Sequence, residues 1–245
     1  MISVVLNTYK RPYMLEKQIQ AIKEQSVGIK PENIHVWYNK SGVAQHLPKD
    51  GSINTYNCNW NTKFFGRFMI PLIIRTPYVA VFDDDIIPQK DWLLNCMNTI
   101  EKSETNGILG GSGVVLKQKS YLPFANKIGW NGEHYDVTRR VDLVGHAWFF
   151  RQEWAKYLWY EKPYTWDNGE DIMFSFLAQK HGGINTFVPP HPENNKTIWS
   201  SDFKVGLDVG NDNNASFRLG THYGERDRVC VYCIDNGWKT VNNIK

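Results

Sequence analysis

Three consecutive carboxylates, Asp83-Asp84-Asp85, follow directly on the apolar run Tyr78-Val79-Ala80-Val81-Phe82 and precede Ile86-Ile87-Pro88. Adjacent negative charges repel one another and resist desolvation. Such a turn is stable where it opens into water, as an ordinary acidic turn, or where a cation sits against it. Hard divalent ions such as Mg²⁺ and Mn²⁺ take oxygen ligands from one or two carboxylates together with substrate phosphates. The triplet therefore predicts a strand-end metal site that holds a phosphorylated ligand. A second acidic pair, Glu170-Asp171, opens a helical pattern. Acids in a first helical turn favour the helix dipole by ~0.3–1 kcal/mol each when exposed, which is a sufficient structural reason for them. Upstream of them, the apolar stretch Val141–Phe150 is broken by Gly145-His146, and a glycine inside a strand marks close approach of a ligand or another backbone.

These groups need elements to position them. The β-branched and aromatic run before Asp83 predicts a buried parallel strand, and ligands of open α/β sheets collect at the carboxyl ends of such strands. Ile2–Leu6 predicts a first strand, Pro12 a helix start, and Leu15, Ile19 and Ile22 recur at helical spacing as far as Ser26–Gly28. Asn33–Tyr38 predicts a second strand, Phe64–Ile74 a helix interrupted near Pro71, and Trp92–Ile100 another helix. This alternation is that of a doubly wound α/β nucleotide-binding fold. The turn after the first strand, Asn7–Pro12, has no glycine, and no Walker lysine motif occurs, so a nucleotide would be held by side chains and metal. Beyond residue 105, Ile108–Leu116 and Arg140–Phe150 predict strands. Glu170–Lys180 predicts a helix capped by Asp167 or Asn168 and stopped at Gly182-Gly183. Pro189–Gly224 is polar, rich in Asn, Asp and Gly, and without periodicity, the pattern of a functional lid or a partly disordered segment.

The 245 residues suffice for one domain with a substantial core. A net charge of +3 with scattered Lys and Arg excludes a nucleic-acid binder but suits a small anionic ligand. Ten Trp, twelve Tyr and twelve Phe supply flat faces for sugars or bases as well as core. Of the four cysteines, Cys230 and Cys233 have zinc-ligand spacing without a second pair. They lie in Arg228–Ile234, whose alternation predicts a strand and structural thiols. The start of the chain has no secretory pattern and no run reaches the ~18–20 apolar residues of a bilayer span, so the expectation is a soluble, cytoplasmic protein. Sequons at Asn39, Asn195 and Asn214 carry little weight without such a signal.

Several blocks in order make the chain resemble the GT-A class of nucleotide-sugar glycosyltransferases, most closely exostosin-type catalytic domains. They are Thr8–Leu15, Val36–Gly42, Asn61–Phe68 with Gly66-Arg67-Phe68, Asp83–Asp85, Leu143–Phe150 and Glu170–Leu177. Together they span roughly residues 1–190; each is weak alone and their order is specific. The resemblance implies a Rossmann-like, mostly parallel sheet flanked by helices, with a smaller acceptor-side sheet. It also implies a nucleotide-binding half over residues 1–105 and a donor-sugar and acceptor half over 106–245. By the same resemblance Thr8, Tyr9, Arg11 and Asn39 would contact the nucleotide, Arg11 and Asn39 its base, and Arg67 would help hold the donor. Asp83 and Asp84 would lie near ribose and sugar hydroxyls, and Asp85 would bind Mn²⁺ or Mg²⁺, with Asp83 and His222 as further ligands. Gly145, His146 and Ala147 would line the donor sugar, and Asp171 with Glu170 would face the reacting carbon. Trp148 and Trp166 adjoin these blocks and are the aromatic faces expected for an acceptor. His146 stands where the family more often has a small residue. The C-terminal region does not align, leaving Arg218, His222 and Arg226 as candidates for a late basic residue.

The expected activity is transfer of a sugar, from UDP by resemblance, to a glycan or another hydroxyl acceptor. Retention is slightly favoured over inversion. A phosphohydrolase of the haloacid-dehalogenase type would place its Asp-x-Asp nearer the start of the chain, followed by Thr or Val. A nucleotidyltransferase would have a glycine-rich opening turn. A carbohydrate-binding protein without turnover would have no need of both acidic clusters.

Overall fold

Hydrophobic runs and amphipathic helices alternate through the first hundred residues as their spacing predicts. In the computed structural model, which describes residues 1–45, 48–213 and 215–244, strand β1 (Ile2–Thr8) leads through a 3₁₀ turn at Pro12–Met14 into helix α1 (Leu15–Lys23). The helix buries Leu15, Ile19 and Ile22 on one face, and Gln18 with them. Strands β2 (Ile34–Tyr38), β3 (Asn54–Asn57) and β4 (Tyr78–Phe82) follow, then helix α2 (Trp92–Ile100). Every residue of β4 is buried, as expected for a strand covered on both faces. The second half supplies β5 (Ile108–Leu116), β6 (Phe124–Gly129), β7 (Arg139–Val141), β8 (Leu143–Arg151), helix α3 (Glu170–Gly182) and β9 (Thr186–Val188). Helices α4 (Phe203–Gly210) and α5 (His222–Asp235) complete the chain.

The described strands form one sheet in the order β3-β2-β1-β4-β8-β5-β9-β7, with β6 beside β5. β3, β2, β1 and β4 are mutually parallel, and β8 enters antiparallel between β4 and β5. The smaller second sheet expected on the acceptor side is thus continuous with the first. From β1 the chain runs outward to β2 and β3, then returns to place β4 on the other side of β1. The carboxyl ends of β1 and β4 therefore flank a topological switch point, where open α/β sheets bind ligands. Leu6 pairs with Phe82, the last residue of β4, so Asp83–Asp85 leave the sheet beside the end of β1.

Four local expectations differ from the structure. Residues 66–72 form a 3₁₀ helix containing Pro71, which cannot donate to an α-helical ladder. The strand predicted over Arg140–Phe150 is divided at Asp142, whose carboxylate turns inward to accept from the backbone N–H groups of Leu116 and Val241. Arg228–Ile234 is helical. Val229, Cys230, Cys233 and Ile234 are buried at i, i+1, i+4 and i+5, a helix stripe that the alternation of valine and tyrosine disguised. Cys230 and Cys233 are buried free thiols against α3, with Cys233 Sγ 3.8 Å from Met173 Sδ. Finally, α3 is capped by Gly169 in a left-handed conformation (φ 81°) rather than by the side chain of Asp167 or Asn168. A side chain there would also meet Val229 at 3.0 Å. The 189–224 stretch carries α4 and short 3₁₀ turns at Lys196–Ile198 and Ser216–Arg218.

No helix among the described residues is long and apolar enough to cross a membrane. Asn39 of the first sequon is buried, Asn195 caps a 3₁₀ turn, and Asn214 lies outside the described residues. On β2, burial holds the His35 imidazole down to about 4. A depressed histidine contributes stability that is complete above its ordinary value near 6.5 and is lost as pH falls towards 4. Between pH 7 and pH 4.5 the contribution falls by roughly 2–3 kcal/mol. His35→Gln is expected to flatten that part of the pH dependence of the urea midpoint. An identical fall in both proteins would show that His35 is not responsible.

Candidate functional site

The acidic turn is fixed from three sides. Asp83 N–H donates to His146 O on β8 (3.0 Å). Gln18 on α1 donates through Nε2 to Asp83 O (2.7 Å) and Ile86 O (2.9 Å). Arg11, leaving β1, donates to Asp84 Oδ1 at 2.7 Å and lies 3.6 Å from Asp85 Oδ2. Opposite the turn, β8 bulges. Gly110 pairs with Trp148 and Ser112 with Gly145, so His146 and Ala147 together face Gly111 alone. The extra residue puts His146 at φ 68°, a left-handed conformation uncommon outside glycine. Such bulges re-aim side chains beside functional sites. Here His146 is turned towards Asp83, with Nδ1 3.8 Å from Asp83 Oδ2 and its ring tilted against Trp130 at 4.2 Å between centroids.

Asp83, Asp85 and His146 form a group able to hold a metal ion, with one ligating atom from each lying within 4.8 Å of the others. These residues also carry two buried atoms with no hydrogen-bond partner, Asp85 Oδ1 and His146 Nδ1. Leaving such groups unpaired is costly, of order 1–3 kcal/mol each. Burial pushes the Asp85 carboxyl up to about 7, and the charges of Asp83 and Asp84 add to this while Arg11 opposes them. Burial likewise raises Asp84 against the pull of Arg11. Burial holds the His146 ring down to about 4, so near neutral pH it is uncharged and keeps a lone pair. A bound cation would supply a partner for such orphaned atoms and offset the repulsion within the turn. The residues fit a metal ion.

Two carboxylates from α3 stand beside this group. Arg67, buried in the 3₁₀ helix, bridges Asp83 to Glu170 Oε1 (3.2 Å to the latter), and its guanidinium lies over the rings of Trp148 and Phe68. Burial and the neighbouring Asp171 charge push Glu170 up to about 8, with Arg67 opposing. Asp171 is clamped by Arg226 of α5, with NH1 to Oδ1 at 3.0 Å and NH2 to Oδ2 at 2.6 Å, while Oδ1 also accepts from Ile172 N–H at 2.9 Å. Gly145 explains itself here. A Cβ on it would have only Asp171 Oδ2 nearby, at 3.8 Å, so the missing side chain keeps Asp171 open towards the bulge.

The structure brings together Arg11, Arg67, Asp83, Asp84, Asp85, Gly145, His146, Glu170 and Asp171. It places other predicted residues differently. Asn39 uses its amide on Asn61 Oδ1 and Lys63 O and its carbonyl on Thr62, so it braces a loop instead of presenting itself to a base. Thr8 is buried with its hydroxyl on Gln45, and Tyr9 accepts from Asn61. Arg67 is enclosed between its carboxylates and reaches a ligand only through them. Ala147 packs inward beside Gly111. Trp148 is buried beneath Arg67, with its indole N–H on Val144 O, and offers no face to an acceptor. Trp166 is half exposed, edge-on to Phe65. His222 is engaged with Asn168 (3.0 Å) and is not part of the metal-binding group, where His146 stands instead. Of the late basic candidates, Arg218 bonds Asn211, whereas Arg226 reaches the site.

Two contributors, Gln18 and Asp212, carried no sequence signal. Asp212, past the end of α4, accepts from Arg11 NH2 (2.8 Å) and Nε (3.2 Å). Beside it, a Cβ on Gly210 would come within 2.5 Å of Asp85 Oδ2. Gly210 and Asp212 thus lie against the acidic turn and its arginine. The composition of the 189–224 stretch reveals loop character, but not the residue to which it docks.

Fold and site together define a mixed α/β, Rossmann-like protein with a candidate metal-ion centre at its sheet switch point and a second carboxylate pair alongside. No protein-family model matches the chain, and no curated protein sequence matches it.

Proposed function

We propose that the protein is a metal-dependent glycosyltransferase of the GT-A type, moving a sugar from a nucleoside diphosphate, UDP by resemblance, to a hydroxyl of a glycan acceptor. The observation that carries this reading is the joining of two acidic centres by one buried arginine. Arg67 spans from Asp83, in the metal-binding group, to Glu170, next to Asp171. Sugar transfer needs two such places. One grips a diphosphate as negative charge grows on it; the other sets negative charge against the positive charge developing at the sugar carbon. A divalent ion held by Asp83, Asp85 and His146 would supply electrophilic stabilisation of the leaving phosphate without a proton transfer. The imidazole in that set favours Mn²⁺ over Mg²⁺.

Asp171 suits the second place. Three of its hydrogen bonds come from Arg226 and the α3 backbone, so its charge is fixed in position and its lone pairs are largely occupied. A carboxylate so engaged stabilises a cation better than it removes a proton, which favours retention over inversion. Glu170, whose affinity for a proton is raised by burial and by the neighbouring charge and lowered by Arg67, lies beside Asp171.

The test is a thermal-shift screen of nucleotide sugars with and without Mn²⁺. At a ligand concentration 100 times Kd, a stabilisation of ~2.7 kcal/mol is expected for a cognate donor and only with metal. Absence of a metal-dependent shift with every donor would remove the reading.

A further inference from the structure

Every arginine of the site is already committed: Arg11 to Asp84 and Asp212, Arg67 to Asp83 and Glu170, and Arg226 to Asp171. The site nevertheless faces a ligand that, on the proposed function, carries two phosphates. Lys127 of β6 is a cation of a different standing. It pairs in register with Val114, and its ammonium lies 5.9 Å from the Trp130 ring centroid, which in turn rests on His146. From there its charge acts on His146, while Arg226 acts on it from the Asp171 side. Among the described residues no carboxylate or other acceptor bonds its ammonium. Burial and the Arg226 charge both disfavour the protonated amine and lower its affinity for its proton. A half-buried ammonium beside another cation, with no counter-charge, is an unfavourable arrangement that an anion would relieve.

We propose that Lys127 grips the terminal phosphate of the diphosphate ligand, beside the metal-binding group. Lys127 adjoins His146 of the metal-binding group through Trp130 and feels the charge of Arg226, which clamps Asp171, so a phosphate held at that group is the anion its placement offers it. Lys127 is a binding residue for the leaving group and takes no proton from the acceptor. The inference rests on the glycosyltransferase reading for the identity of the ligand. Its physical content, an anion-specific lysine beside the metal, does not.

The experiment is calorimetric titration in Mn²⁺ of wild type, Lys127→Gln and Lys127→Arg with UDP, UMP and inorganic pyrophosphate. Charged hydrogen bonds of this kind change affinity by about ten- to a hundredfold. Lys127→Gln is expected to weaken UDP and pyrophosphate by that factor and to leave UMP within about twofold, with Lys127→Arg recovering much of the loss. Lys127→Met, which keeps an apolar stem near Trp130, carries the same comparison if the Gln variant does not fold. Equal UDP affinity in wild type and the neutral variants overturns the proposal, as does an equal loss for UDP and UMP. Lys127-dependent pyrophosphate binding without nucleotide binding overturns the nucleotide-sugar reading and leaves the lysine's role standing. Binding of neither by wild type overturns both.

Discussion

Asp171→Asn is expected to lower turnover by ~10³-fold or more while Mn²⁺-dependent UDP affinity stays within about threefold. The substitution keeps the side chain's size and shape and removes its charge and one of the two oxygens that accept from Arg226. Asn retains an acceptor for Arg226 and for Ile172 N–H, so the start of α3 keeps its place. What is lost is the fixed negative charge beside the bulge at Gly145, needed where positive charge develops and not where the nucleotide binds. Breaking the buried Asp171–Arg226 pair also leaves Arg226 short of a counter-charge. Removing one partner of such a pair typically destabilises by about 3–5 kcal/mol, and the isosteric amide limits the loss. Melting temperature must therefore be followed alongside kinetics, with assay temperatures well below the variant's transition. Turnover near wild type in a folded variant would reduce Asp171 to a helix-start acid, the bland reading of its position.

Asp85→Asn carries the second large effect, with a sign that depends on metal. Burial and the adjacent charges raise the Asp85 carboxyl to about 7 in the folded protein, above its ordinary 3.8. For a raised group, stability is complete below the unfolded value and is lost as pH rises through the folded one. Without metal, wild type should therefore lose stability from about pH 4 to about pH 7, and Asp85→Asn should lose less. At pH 7.5 in a chelator the variant is expected to be at least as stable as wild type. Mn²⁺ reverses the order: wild type gains ~2.7 kcal/mol at 100 times its Kd, and the variant gains little. Melting temperatures across pH, in chelator and in Mn²⁺, read both halves. A variant that keeps the full Mn²⁺ shift would remove Asp85 from the metal centre. A wild type that melts identically across this pH range in chelator would remove the account of its repulsion.

The sequence alone determined the local elements whose patterns are dense and unambiguous. Tyr78–Phe82 could only be a strand buried on both faces, Leu15, Ile19 and Ile22 only one helix face, and Trp92–Ile100 a helix to the residue. It also determined that Asp83–Asp85 would stand at a strand end and Glu170-Asp171 at a helix start, because those placements follow from neighbours in the chain. Where two periodicities competed, as in Arg228–Ile234, local pattern misled, since which face of α5 is buried depends on α3. Only the tertiary structure decided which side chains share a site. Arg67 meets Glu170 across 103 positions, Arg226 meets Asp171 across 55 and Arg11 meets Asp212 across 201. Nothing in local propensity encodes such pairings. The bulge that turns His146 into the metal-binding group, where His222 had been expected, arises from a mismatch in pairing between two strands. Trp148 shows the same limit from the other side: a residue beside the site in sequence faces the core, because alternate residues of a strand point to opposite faces and the bulge shifts the alternation. Charge was legible one residue at a time. Which charges are already spoken for, and that Lys127 is not, depends on distances that exist only once the sheet has closed its switch point.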